Sequence, residues 1–273
     1  DVLNRKGQGE LFGLLRALFL VAKHGASAPS SPNGMPMNNV VINLSLGASV
    51  AENAAKVSQI PEVLRELRKK ATESGAMNAN PTLYRVLEDM VNDFHYVGSL
   101  RILTKILFEL GAVIVAAAGN DSATEAGNLR SQIPGRYPEV ISVAASTTEG
   151  LKANFSNHGN LMAPGGGRAT PDFENPEMNK GNFSQAELEK YGVISIVPKI
   201  DVTDTGFAYW QGTSFATPLV TGLVALMFEK ILRNGEPPEP REIKDLILQH
   251  SRDGVVNILT TLAAIEHKPS KPA

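Results

Sequence analysis

Three short runs constrain this chain more than any other feature: Val40-Val41-Ile42-Asn43-Leu44-Ser45-Leu46-Gly47, residues 113–118 and residues 140–145. The first is β-branched and almost continuously apolar, the pattern of a parallel strand buried on both faces. The other two also read as strands, and residues 193–198 as a further one. Helical patterns lie between and after them. Residues 10–23 place Leu11, Leu14, Leu15, Leu18 and Val21 on one stripe, and His24-Gly25 marks their end. Residues 99–110, 240–250 and 258–267 follow the same period, as does a short piece over residues 185–190. A long apolar helix runs from Gly212 to about Leu232. Strand and helix alternate, which predicts an α/β fold with a mainly parallel sheet.

At 273 residues the chain can bury a sizeable single core, and α/β domains of this length are commonly one domain. Its 42% hydrophobic and 20% charged residues are those of a soluble globular protein. A net charge of -2 offers no electrostatic case for nucleic acid or an anionic membrane. No run of eighteen or more apolar residues suits a membrane span; the apolar piece 11–22 is broken by Arg16. With no cysteine, a disulfide scaffold, a thiol nucleophile and Cys-ligated zinc are excluded. The compartment is not settled by that, and no signal peptide is visible.

Asp1-Val2-Leu3 has the character of a strand tail, as if an N-terminal part preceded it. The turn Lys6-Gly7-Gln8-Gly9 mimics a dinucleotide fingerprint. Its third glycine falls at Gly13 instead of position 12, where Phe12 stands, and no full strand precedes it. A nucleotide site is therefore disfavoured.

Gly212-Thr213-Ser214-Phe215-Ala216-Thr217-Pro218 opens the long helix. The glycine permits a tight turn, and Ser214 then sits where unpaired backbone N–H groups point outward. The helix dipole and the Ser214 N–H favour negative charge there, a good seat for a nucleophile whose product is an oxyanion. An ordinary helix N-cap serine is the plainer alternative.

This motif closely resembles the nucleophile motif of the subtilisin-like (S8) serine peptidases, and other segments match that family in the expected order. Val41-Ile42-Asn43-Leu44-Ser45-Leu46-Gly47 looks like the strand lining the substrate cleft. Residues 113–120 resemble the strand and turn that deliver the oxyanion-hole asparagine. Tyr137-Pro138-Glu139-Val140-Ile141-Ser142-Val143, Phe155-Ser156 and Ala163-Pro164-Gly165 resemble the next core strand and loop. The resemblance implies a three-layer α/β subtilisin-like domain over residues 1–267 with its N-terminal strands missing. A helical insertion is expected at 51–98, a loop insertion at 166–192 and a frayed tail at 268–273.

By the same resemblance Ser214 would attack a peptide carbonyl and Asn120 would donate its side-chain N–H to the developing oxyanion. Ser45, Leu46 and Gly47 would pair with an extended peptide or protein substrate as an added strand. An αL turn residue is the plainer reading of Asn120, and a strand-end turn that of Gly47. The family pattern then breaks. A serine hydroxyl needs a base, yet no Asp-Thr/Ser-Gly strand end or His-Gly-Thr-His helix start lies upstream of the cleft strand. Of the histidines, His24 caps a helix end, His158 lies in a loop, His95 and His250 sit on helices, and His267 is in the tail. None suits the base role.

Two readings follow. Either the Asp and His come from a lost N-terminal segment or a separate chain, leaving this polypeptide inactive alone, or the chain is a catalytically inactive pseudo-peptidase that binds peptide or acts as a scaffold. The related sedolisin-type acid peptidases are disfavoured because Asn120 stands where they use an acid. No cofactor is implied with certainty; the family makes calcium an expectation, with Asp201 and Asp204 too thin a clue to place a site. Extracellular or cell-envelope location is a family-level expectation.

Overall fold

The computed structural model describes residues 11–27, 37–47, 98–122, 129–169, 185–196, 206–234 and 238–266. Along them run helix α1 (Leu11–Ser27), strand β1 (Val41–Leu44), helix α2 (Gly98–Glu109) and strands β2 (Val113–Ala117), β3 (Val140–Ser146) and β4 (Leu161–Pro164). Helix α3 (Gln185–Tyr191) and strands β5 (Val193–Ile196) and β6 (Phe207–Trp210) follow. The helices α4 (Thr213–Asn234), α5 (Pro240–Gln249) and α6 (Ile258–Glu266) complete the order.

Strands β1 to β4 form a four-stranded sheet in sequence order, every pair parallel. Side chains on a strand alternate between faces, and the two faces of β2 meet different helices. Val113 and Val115 join Ile141, Val143 and the α4 residues Val220, Leu223, Val224 and Met227 in one core, which Ile243 of α5 and Ile265 of α6 close. Ile114 and Ala116 turn the other way, onto Leu14 and Leu18 of α1 and Leu100 and Leu107 of α2. Helices thus cover both sheet faces, giving the three layers expected. That explains why β2 and β3 are buried throughout, Ser142 and Ser146 of β3 included. Each such Val, Leu or Ile contributes about 1.5–3 kcal/mol by leaving water.

Differences from the sequence reading have local causes. Helix α1 continues through His24-Gly25 to Ser27. Gly25 does not end it; a Cβ there would come 2.1 Å from the Met37 sulfur, so the glycine admits a neighbour instead of breaking the helix. Strand β4 lacks a legible run because it is four residues long and ends in proline. Strand β5 is shorter than read and pairs antiparallel with β6, an unread strand, in a separate ribbon. Helix α4 is long and apolar enough to cross a membrane by length and composition alone. Its residues Val220, Leu223, Val224, Met227 and Phe228 are buried against the sheet, so it reads as a core helix.

The expected insertion at 51–98 falls outside the described residues up to position 97. Of the one at 166–192, residues 166–169 and 185–192 are described, and the short helix read there is α3. The glycine turn near Gly7, His95, Asp201, Asp204, His267 and the tail 268–273 lie outside the described residues.

Candidate active site

The chain leaves β1 after Leu44 and β2 after Ala117, at the carboxyl ends of two neighbouring parallel strands. Open α/β sheets characteristically bind ligands at that end. The start of α4 is brought against both exits. Ser214 Oγ donates a hydrogen bond to the Ser45 carbonyl at 3.1 Å, and Ser45 Oγ donates to the Ser214 carbonyl at 2.9 Å. The second bond has a covalent origin. Pro218 stands inside α4 and has no N–H, so the carbonyl four residues earlier, that of Ser214, lacks its helical donor. The Ser45 hydroxyl takes its place.

Ser45 is itself held from the β1 side. Asn43 Nδ2 donates to Ser45 Oγ at 2.9 Å, and Thr221 Oγ1 donates to Asn43 Oδ1 at 2.9 Å. A chain of hydrogen bonds therefore ties the third turn of α4 through β1 back to Ser214. The sequence reading missed Asn43 and Thr221; the lone amide in an apolar strand was the available signal.

Asn120 follows Gly119 at the exit of β2, exposed to solvent. Its Oδ1 accepts from the Thr213 N–H at 2.9 Å and the Thr213 hydroxyl at 3.0 Å. The acceptor end of the amide is thereby engaged, leaving Nδ2–H2 as the end able to donate outward. Gly212 adopts φ +147°, and a Cβ on it would lie 3.3 Å from Asn120 Nδ2, so both conformation and space call for glycine. The Phe215 and Ala216 N–H groups return to the Gly212 carbonyl, at 3.0 and 3.4 Å. Among the described residues, the Ser214 N–H is the amide of this first turn without an acceptor. Ser214 and Asn120 are thus joined through Thr213, which touches Asn120 directly and precedes Ser214 in the chain.

Of the other expected cleft residues, Leu46 packs its side chain with the α1–α2 core. Gly47 is exposed and faces Gln132; a Cβ there would fall 2.4 Å from Gln132 Oε1. Gln132 Nε2 in turn donates to Asp121 Oδ2 at 2.6 Å. Neither Gln132 nor Asp121 carried a sequence signal, since their meaning depends on the ends of β1 and β2 lying side by side.

None of the described histidines is hydrogen-bonded to Ser214. His24 is exposed in the last turn of α1, His250 is the C-cap of α5, and the His158 N–H donates to the Leu129 carbonyl. Among the described residues no group of His, Cys, Asp and Glu is arranged to hold a metal ion. The groups with displaced pKa values lie elsewhere. Burial pushes Lys244 below the ordinary lysine range, against the smaller pull of Asp245 and Glu139, while its ammonium donates to the Pro138 and Val140 carbonyls. Burial also lowers Lys152, which donates to the Ser156 carbonyl.

The chain resembles known proteins in both sequence and fold. The chain is 32% identical over 120 residues to an extracellular protease of Xanthomonas campestris pv. campestris, covering 43% of this chain and 16% of that protein. It is 26% identical over 230 residues to the nisin leader peptide-processing serine protease of Lactococcus lactis subsp. lactis, covering 73% of this chain and 32% of that protein. It therefore spans a third or less of the length of these relatives. A lanthipeptide protease structure superposes with a TM-score of 0.61 at 18% identity, over 97% of this chain and 69% of that one, a likeness of fold. Residues 20–263 match the subtilase family, and the chain belongs to it.

Proposed function

We propose that this chain is the nucleophile-bearing portion of a serine endopeptidase acting on peptide or protein substrates. Ser214 forms the acyl-enzyme and Asn120 Nδ2, with the Ser214 N–H, stabilises the tetrahedral oxyanion. Main-chain groups of Ser45, Leu46 and Gly47 pair with the extended substrate. The observation that carries this reading is the fixed Asn120 amide, its Oδ1 held by Thr213 and its Nδ2 left to donate. A donor oriented before the reaction stabilises developing charge without reorganisation.

In this reading the general base and its carboxylate partner come from a segment outside these residues, upstream in the gene or on another chain. Two surfaces support that. Strand β1 lies at the edge of the described sheet and is only partly buried, unusual for a parallel strand. Beside it, α4 exposes Leu219 and Leu226, 42% and 45% accessible, on one apolar stripe with Pro218, Gly222 and Ala225. Alone, the chain is expected to hydrolyse peptide bonds negligibly. Relatives named as extracellular proteases favour an extracellular or cell-envelope location.

One observation favours the second reading, a pseudo-peptidase that binds peptide without cleaving it: Ser214 Oγ donates to a backbone carbonyl and not to a base. Fluorophosphonate labelling of the full-length gene product, with the modified peptide mapped by mass spectrometry, separates the two. An adduct on Ser214 supports the peptidase. Folded protein that takes no adduct overturns it in favour of the peptide-binding module.

A further inference from the structure

We infer that Asn157 is the positioning residue of the oxyanion donor: its side chain clamps the turn on both sides of Asn120 without a hydrogen bond to Asn120 itself. A neutral carboxamide has two acceptor positions on oxygen and two donor hydrogens on nitrogen. Here all four are engaged by one turn. Asn157 Oδ1 accepts from the Asp121 N–H at 3.1 Å and from the Ser122 hydroxyl at 3.0 Å. Asn157 Nδ2 donates to the Ala118 carbonyl at 3.2 Å and to Asp121 Oδ2 at 3.1 Å. The Asn157 N–H adds a bond to the Gly119 carbonyl at 2.9 Å. Residues 118, 119, 121 and 122 are thus all held by one side chain and its amide, and the residue left between them is Asn120.

The clamp has a rigid base. Phe155 is buried in the core on the α4 side of the sheet. The Ser156 hydroxyl accepts from the Ala145 N–H of β3 and donates to the Asn157 carbonyl, both at 2.9 Å. Asn157 is itself 1% exposed, so its bonds face no competition from water. Close approach explains Gly119 as well: with φ +106°, a Cβ there would meet Asn157 Nδ2 at 2.6 Å. The Asn120 turn is therefore fixed from one side by Asn157 and from the other by Thr213. A polar network with every member satisfied rigidifies its surroundings, and supporting residues of this kind hold a functional side chain to the tolerance that catalysis requires.

This role rests on the proposed peptidase reading, and the experiment separates the two. In the full-length gene product, peptide turnover is compared for the parent, Ser214→Ala, Asn120→Ala, Asn157→Ala and the Asn120→Ala/Asn157→Ala double variant. Asn157→Ala is expected to lower kcat about 10- to 100-fold with KM nearly unchanged, as displacement of a catalytic group does. In the Asn120→Ala background the same change should cost almost nothing further. Equal losses in both backgrounds, or a loss confined to KM, overturn the positioning role while leaving the peptidase intact. Turnover that survives Ser214→Ala, or a parent that cleaves nothing, overturns the peptidase reading and this role with it. Hydrogen exchange on the parent decides the case in which Asn157→Ala does not fold. The Asp121 amide, bonded to Asn157 Oδ1, should exchange as slowly as the amides of β2, and rapid exchange there overturns the clamp.

Discussion

Ser45 and Ser214 hold each other by two hydrogen bonds, each hydroxyl donating to the other residue's carbonyl. Pro218 makes the arrangement possible by withholding the helical N–H that would otherwise occupy the Ser214 carbonyl. The exit of β1 and the entrance of α4 are therefore registered on each other at the serine itself. Two elements far apart in sequence meet there, and each supplies a group the other lacks.

This pairing predicts a double-variant result. Ser45→Ala leaves the Ser214 carbonyl without its donor and should lower stability by about 1 kcal/mol in urea unfolding. Pro218→Ala restores an N–H to the helix, so the cost of Ser45→Ala should largely disappear in that background. An undiminished cost would show that the Ser45 hydroxyl stabilises the fold by some other contact.

Gly212 should accept no side chain. Gly212→Ala must adopt φ +147° and place a methyl 3.3 Å from Asn120 Nδ2. The strain is expected to cost about 1–3 kcal/mol, read as a fall in the unfolding midpoint. In the full-length product it should also lower kcat. Asn120→Ala should do so on the order of 100-fold or more, a scale set by donor removal in a subtilisin. It should also cost about 1–3 kcal/mol of stability because the buried Thr213 N–H loses its acceptor.

Helix α4 offers a test for a segment packed over its outer face. Leu223 is 1% exposed and Leu226 is 45% exposed. In the chain as described, Leu223→Ala should cost about 2–5 kcal/mol by opening a cavity, and Leu226→Ala well under half of that. In the full-length product the Leu226→Ala cost should rise towards that of Leu223→Ala. If it stays small there, no segment covers this face.

Lys244 gives a pH dependence with a definite sign. Burial holds its folded pKa below the unfolded value of 10.5, so the charged form is disfavoured in the fold. Between the two values the unfolded chain binds more protons, and stability therefore rises with pH through that window. The penalty is fully present below the folded pKa and gone above the unfolded one. Urea midpoints measured from neutral pH into the lysine range should rise for the parent relative to Lys244→Met. A flat difference would show that the ammonium is not desolvated.

Much of the fold was legible because it follows from local patterns. The apolar runs at β1, β2 and β3 read as strands, and the helical stripes of α1 and α2 supplied one cover. Strands β2 and β3 are buried on both faces, whereas the edge strand β1, read as buried on both, is only partly so. Strands β4 (Leu161–Pro164) and β6 (Phe207–Trp210) were not legible, since neither carries the β-branched apolar residues that marked β1, β2, β3 and β5. The site divided in the same way. Ser214 was marked by the turn glycine Gly212 at the helix start, and Asn120 by the resemblance of residues 113–120 to the family's strand and turn. Asn43, Thr213 and Asn157 were not, because a polar side chain reveals its partner only when a distant segment arrives within hydrogen-bond reach.

The sequence by itself determined that the chain would form a parallel α/β sheet, with a serine at the start of a long apolar helix. Those properties depend on periodicity, side-chain volume and backbone freedom, all written locally. The tertiary structure decided which carbonyl receives the Ser214 hydroxyl, which donor replaces the N–H missing at Pro218, and what holds the turn around Asn120. Those are pairings across 169, 93 and 39 residues of chain. A hydrogen bond depends on distances of a few tenths of an ångström, which only the packed sheet and its two helical layers can set.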